Sequence, residues 1–126
     1  MPYTILIVDD DPVVQRVLQH YLERVQYRTI SAKNGREAIE LAARERPQLI
    51  ILDVMMPEVG GLTALRQLKE LDATKNIPVI IVTVQTAPLT QLEAESSGAA
   101  LFLTKPFSPA QLLGEIRRLL PAEEVD

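Results

Sequence analysis

Four short, unbroken apolar runs constrain the fold of this chain more than any other feature: Thr4-Ile5-Leu6-Ile7-Val8, Leu49-Ile50-Ile51-Leu52, Val79-Ile80-Ile81-Val82 and Ala100-Leu101-Phe102-Leu103. Each holds four or five residues, the first three are rich in β-branched side chains, and all are bounded by Asp, Pro or Thr. A strand with one wet face alternates apolar and polar residues, whereas a strand covered on both faces reads as a continuous run. The runs therefore predict a parallel sheet buried between two layers. The more polar stretch from Tyr27 to Ser31 suits a strand at the sheet's edge.

Helical patterns fill the intervals. Between Pro12 and Val25 the apolar residues Val14, Val17, Leu18, Tyr21, Leu22 and Val25 follow a 3.6-residue period. Asp11 is placed to cap that helix, with Pro12 at its first position. Asn34 with Glu37 forms a capping pair for a helix running through Arg44, and Ser108, Pro109 and Gln111 repeat the logic for the last helix, with its stripe Leu112, Leu113, Ile116, Leu119 and Leu120. Leu62, Leu65, Leu68 and Leu71 mark a third helix, and a weaker one runs from about Pro88 to Ser97 before Gly98. Strand and helix thus alternate five times, which predicts an open α/β fold with right-handed crossovers. In such folds ligands bind beyond the carboxyl ends of the strands, near the switch in strand order.

Composition narrows the function. The 126 residues make one domain, 47% of them apolar, with no run of eighteen that could span a membrane. Met1-Pro2-Tyr3-Thr4 leads straight into a strand, without the charged region or cleavage site of a secretion signal. The absence of cysteine excludes disulfides and thiolate metal sites and points to the cytosol. A net charge of −4 with scattered basic residues argues against direct nucleic-acid binding.

The chemistry lies just past the strands. Counting the edge strand as the second, Asp9, Asp10 and Asp11 follow the first predicted strand, Asp53 the third, Thr83 the fourth, and Thr104-Lys105-Pro106 the fifth. Carboxylates, a hydroxyl and an ammonium therefore converge on one rim. Packed carboxylates repel unless a cation is present, and all-oxygen ligands with open positions suit Mg²⁺. A carboxylate beside Mg²⁺, a lysine and a hydroxyl has what phosphoryl transfer needs: a nucleophile, and donors for the equatorial oxygens.

Val8-Asp9-Asp10-Asp11-Pro12, Leu52-Asp53-Val54-Met55-Met56-Pro57, Gly60-Gly61, Val82-Thr83 and Lys105-Pro106-Phe107 together resemble the signature set of response-regulator receiver domains, in order and at family spacing. The resemblance runs from Tyr3 to about Pro121, with Pro121 to Asp126 reading as a short acidic tail. It implies a flavodoxin-like, doubly wound, five-stranded parallel sheet of order 2-1-3-4-5 flanked by five helices, over residues 3–121. It also implies site roles. Asp53 accepts the phosphoryl group; Asp10, Asp53 and the Met55 backbone carbonyl ligate Mg²⁺ or Mn²⁺, with Asp9 acting mainly through water. Thr83 and Lys105 hold the phosphoryl group, Lys105-Pro106 is cis, and Phe102 is the switch aromatic. Expected partners are a histidine kinase or phosphotransfer protein upstream. Downstream stands a protein or a second copy, met through the face made by the fourth helix, fifth strand and fifth helix. Neither nucleic acid nor membrane is expected.

Six positions depart from common usage in that family. Val84 stands where a small residue leaves the pocket open, and Met55 and Gln85 occupy the positions that look out over the phosphoryl group. Ala100 and Leu101 replace an acidic pair, and Glu115 stands where a basic residue is expected, so a salt-bridged dimer is not expected. An exposed Leu101, with Phe102 beneath it, is instead the expected apolar contact. Asp11 is read as a helix cap only, and His20 as a surface residue. The competing readings are a binding module of the same fold that ignores phosphorylation, an aspartyl-phosphate phosphatase and a flavin-binding relative. The phosphatase would need a second Asp where Met55 sits, and the flavin protein a Ser/Thr/Gly loop where the aspartates sit.

Overall fold

The computed structural model describes residues 3–54, 60–84 and 88–120, with the backbone alone at Thr83 and residues 88–90. The chain alternates β1 (Thr4–Val8), α1 (Pro12–Arg24), β2 (Arg28–Ala32), α2 (Gly35–Glu45), β3 (Leu49–Leu52), α3 (Gly61–Glu70), β4 (Val79–Thr83), α4 (Pro88–Ser96), β5 (Leu101–Thr104) and α5 (Pro109–Leu119). All strand pairs are parallel, in the order β2-β1-β3-β4-β5, as the resemblance implied.

The continuous apolar runs have a simple cause. Successive side chains of a strand point to opposite faces, and here both faces are roofed. Ile5, Ile7, Leu49, Ile51, Ile80 and Val82 face Leu18 and Leu22 of α1 and Leu112 and Ile116 of α5. Leu6, Val8, Ile50, Leu52, Val79 and Ile81 face Ala38 and Ala42 of α2, Leu65 and Leu68 of α3, and Ala94 of α4. Burying each such aliphatic side chain contributes about 1.5–3 kcal/mol before chain entropy is counted.

The caps form as expected. Asp11 accepts from the Val13 N–H at 2.9 Å, Asn34 from Glu37 N–H at 2.9 Å, and Ser108 from Gln111 N–H at 3.3 Å. Gly98 follows α4 at φ +100°, a conformation open to glycine, with the Lys69 stem packed against it. Among the described residues no helix is long and apolar enough to cross a membrane.

Three expectations are corrected. The stripe assigned to α1 is too wide: Leu18 and Leu22 are buried, but Val17 is 47% exposed and, with Val13 and Tyr21, forms an outward row. The predicted stripe of α3 ends early, because Leu71 falls at the C-cap and is exposed. Leu101 is half-buried against the α1/α5 layer, while Phe102 packs into the opposite layer beside α4. One cannot lie beneath the other, since neighbours on a strand point to opposite faces. Among the described residues of this region, the exposed large apolar one is Leu92 on α4, at 60%.

Candidate functional site

Strand order places the site. The chain winds from β1 outward to β2, then returns across β1 to β3, so β1 and β3 are neighbours at the reversal, with Val8 opposite Leu52. Asp9 and Asp53 therefore leave adjacent strand ends, and the Asp53 N–H donates to the Val8 carbonyl at 3.0 Å. Lys105 follows β5, two strands from β3 and roughly 10 Å away at the usual strand spacing. Only a long cationic side chain closes such a gap.

Lys105 does close it. Its Nζ donates to Asp9 Oδ2 at 2.8 Å and to Asp53 Oδ2 at 3.1 Å, and all three side chains are largely buried. Asp9 Oδ1 also accepts from the Asp11 N–H at 2.9 Å. Asp10 is exposed, and among the described residues no hydrogen bond or ion pair holds its carboxylate. Yet ligand oxygens of Asp9, Asp10 and Asp53 lie within 4.8 Å of one another. Asp11 is exposed and bound to its own helix, outside this cluster, as read from the sequence.

Burial pushes the Asp9 carboxyl above its ordinary value, and so does the Asp53 charge; the Lys105 and Asp11 hydrogen bonds and the Lys105 charge oppose this without cancelling it. Burial alone would lower Lys105, but the hydrogen bonds and charges of Asp9 and Asp53 outweigh it and hold the ammonium above its usual value. Two carboxylates thus share one ammonium, and a third lies beside them. An oxygen-only cluster with surplus negative charge and one open carboxylate fits a hard divalent cation such as Mg²⁺, which keeps some of its waters.

Of the remaining predicted residues, Thr83 ends β4 opposite Thr104, with its side chain outside the description. The Lys105-Pro106 peptide is cis. Val84 is 63% exposed, and Phe102 is half-buried against the core layer that includes Ala94 of α4. Met55 and Gln85 lie outside the described residues. His20 is exposed on α1, edge-on to Tyr21. Glu115 pairs with Arg118 of its own helix at 3.0 Å.

Two residues escaped the sequence reading. Gln15, on α1, donates from Nε2 to the carbonyls of Asp9 at 2.7 Å and Ala32 at 2.8 Å. No sequence pattern marks it, because its partners are backbone atoms brought near by folding. Gly61 entered the sequence reading only within the signature pair Gly60-Gly61, with no role given, but a Cβ there would collide with the Asp53 carbonyl oxygen and with Val54 Cα. The first turn of α3 can lie against the Asp53 backbone only because this residue has no side chain.

A five-stranded parallel sheet of this order, with acids at its reversal and a lysine reaching over from the last strand, defines the receiver class of α/β signalling domains. The chain belongs to the response regulator receiver domain family of two-component systems, whose model matches residues 5–117. It is 38% identical over 120 residues to the response regulator MprA of Mycolicibacterium vanbaalenii, covering 95% of this chain and 51% of that protein. The chain spans about half the length of the curated relatives it matches. Among solved structures it is similar to the chemotaxis protein CheY4 of Vibrio cholerae, with a TM-score of 0.89 and 32% identity over 95% of this chain and 100% of that one. It is also similar to the receiver domain of a sensor histidine kinase from Pseudomonas aeruginosa, with a TM-score of 0.88 and 27% identity over 97% of this chain and 100% of that one. That structure has a magnesium ion coordinated in its active site cleft.

Proposed function

We propose that this receiver, residues 3–121 with a short acidic tail at 122–126, takes a phosphoryl group on Asp53. The donor is a histidine kinase or phosphotransfer protein in the cytosol, and the reaction depends on Mg²⁺. The observation that carries the reading is the double contact of Lys105 with Asp9 and Asp53 beside the open carboxylate of Asp10. Asp53 attacks the phosphorus of the donor phosphohistidine; the new P–O bond forms as the P–N bond breaks, and the imidazole leaves. Asp10 and Asp53, with the Met55 carbonyl and with Asp9 in support, would hold the Mg²⁺, which when bound would supply the positive charge that the crowded phosphoryl oxygens require. The Lys105 ammonium, already at Asp53, passes to a phosphoryl oxygen, and Thr83 donates its hydroxyl to another. The chain is a signalling domain that promotes only its own phosphorylation and dephosphorylation.

The surface then changes. As Thr83 moves, Phe102 moves inward; it has no hydroxyl to satisfy, so inward and outward positions are both open to it. The partner face is the one formed by α4, β5 and α5, and Leu92 takes the apolar role expected of Leu101. On the donor side, α1 begins directly after Asp11 and carries the outward row Val13, Val17 and Tyr21. A donor protein lying along it brings its phosphohistidine to the rim.

The test is incubation with acetyl phosphate and Mg²⁺ followed by intact mass. One phosphoryl group on the wild type, none on Asp53→Asn and normal labelling of Asp11→Asn are expected. Labelling of Asp53→Asn refutes the assignment. A wild type that never labels favours the phosphorylation-independent binding module.

A further inference from the structure

We infer that Gln15 is a positioning residue for Asp10, acting through the backbone. The inference rests on the reading of Asp10 as a Mg²⁺ ligand. Of the three clustered acids, Asp9 is gripped at both carboxylate oxygens, by the Asp11 N–H and by Lys105, and Asp53 is gripped by Lys105. Asp10 has no such grip among the described residues, although its carboxylate must meet a cation at a defined place. Its direction is therefore set by the backbone that carries it.

That backbone is held by Gln15. The Asp9 carbonyl, which accepts from Gln15 Nε2 at 2.7 Å, shares one rigid peptide plane with the N–H and Cα of Asp10. Fixing the carbonyl oxygen fixes the plane, and with it the point from which the Asp10 side chain departs. The second Gln15 hydrogen goes to the Ala32 carbonyl at 2.8 Å, the residue that also receives the Asp9 N–H at 3.2 Å. The amide thus ties the end of β1 to the end of β2 and to α1, three elements at once. The chemistry of an amide suits the place. Both carbonyls accept from the amide, a glutamate has no donor to offer them, and a lysine or arginine would set a full positive charge beside a cation site. Supporting groups of this kind change metal affinity by roughly ten- to a hundredfold when removed.

The experiment measures Mg²⁺ affinity of the full chain by calorimetric titration in the wild type, Gln15→Met, Asp10→Asn and the double variant. Methionine keeps the length of the side chain and deletes both donors. Gln15→Met is expected to weaken Mg²⁺ binding roughly tenfold and to have little further effect once Asp10 is asparagine. In the metal-free protein, the Asp10 and Asp11 amide resonances are expected to shift or broaden in Gln15→Met. Unchanged Mg²⁺ affinity in Gln15→Met, even with a lowered melting temperature, reduces Gln15 to a clamp on the strand ends and overturns the inference. So does an equal loss in both Asp10 backgrounds, because the effect then bypasses Asp10. If the wild type itself fails to bind Mg²⁺, or Asp10→Asn binds it as well as wild type, the site reading falls and the inference with it.

Discussion

Replacing Lys105 with methionine isolates the central electrostatic arrangement, because the stem keeps its length and only the ammonium is lost. At an effective dielectric constant near 20, contacts at 2.8 and 3.1 Å are each worth about 5–6 kcal/mol of gross attraction. Most of that is offset by the hydration the three groups give up on burial. Removing one partner of a buried pair costs about 3–5 kcal/mol, and Lys105 keeps 19% of its side chain exposed, so about 3 kcal/mol is expected. The cost depends on pH in a defined direction. Without Lys105, Asp9 loses the hydrogen bond and the charge that hold it down, and its already raised carboxyl moves further up. The deficit is therefore full at neutral pH and shrinks as pH falls through the raised Asp9 range, where the buried acid becomes neutral. At the alkaline end, the raised Lys105 stabilises the wild type fully below the ordinary lysine range, and this support is lost as pH rises through its folded value. The variant lacks that alkaline loss. Urea melts from pH 4.5 to 11, with and without Mg²⁺, test the scheme, and Mg²⁺ is expected to recover more stability in the variant than in the wild type. A deficit independent of pH, or a variant as stable as wild type at pH 7.5, would refute the reasoning.

Three further outcomes are expected. Asp10→Asn removes an exposed charge whose oxygen lies within 4.8 Å of those of Asp9 and Asp53 and is expected to raise metal-free stability by about 1 kcal/mol, a few degrees in melting temperature, while weakening Mg²⁺ binding; a lower melting temperature would show that Asp10 is structural. Gly61→Ala forces the Asp53 backbone to move and is expected to cost about 2–3 kcal/mol. Gly60→Ala meets open space and is expected to change stability by under about 0.5 kcal/mol, so equal chemical melts for the two would contradict the packing. Val84→Ala is expected to speed both acetyl phosphate labelling and dephosphorylation by opening the pocket mouth. Unchanged rates would show that the largely exposed valine does not gate it.

The elements were legible because local rules govern them. Apolar runs of four or five residues, Asp11-Pro12, Asn34 and Ser108 each state a strand or a helix start through contacts made within a few residues. Errors collected where the neighbour decides. The helical period at Val17 and Tyr21 is a property of the chain, but which side of α1 meets the sheet depends on how the helix rolls onto it. Leu101 and Phe102 were placed on one face from family usage, although the alternation of the strand separates them.

For the site the division is similar. The sequence by itself determined which groups are present: acids after β1 and β3, a lysine after β5, and no cysteine to compete for a metal. Only the tertiary structure decided how they divide the work. The distance across β4 let one ammonium bridge Asp9 and Asp53 and left Asp10 without a partner among the described residues. The approach of α1 to two strand ends gave Gln15 its carbonyls, and the closeness of α3 to β3 made Gly61 indispensable. The physical reason is range. Backbone preference and hydrophobic period act over a few residues of one segment. Hydrogen bonds and ion pairs between residues 17, 52 or 96 positions apart exist only after the sheet has brought those segments together.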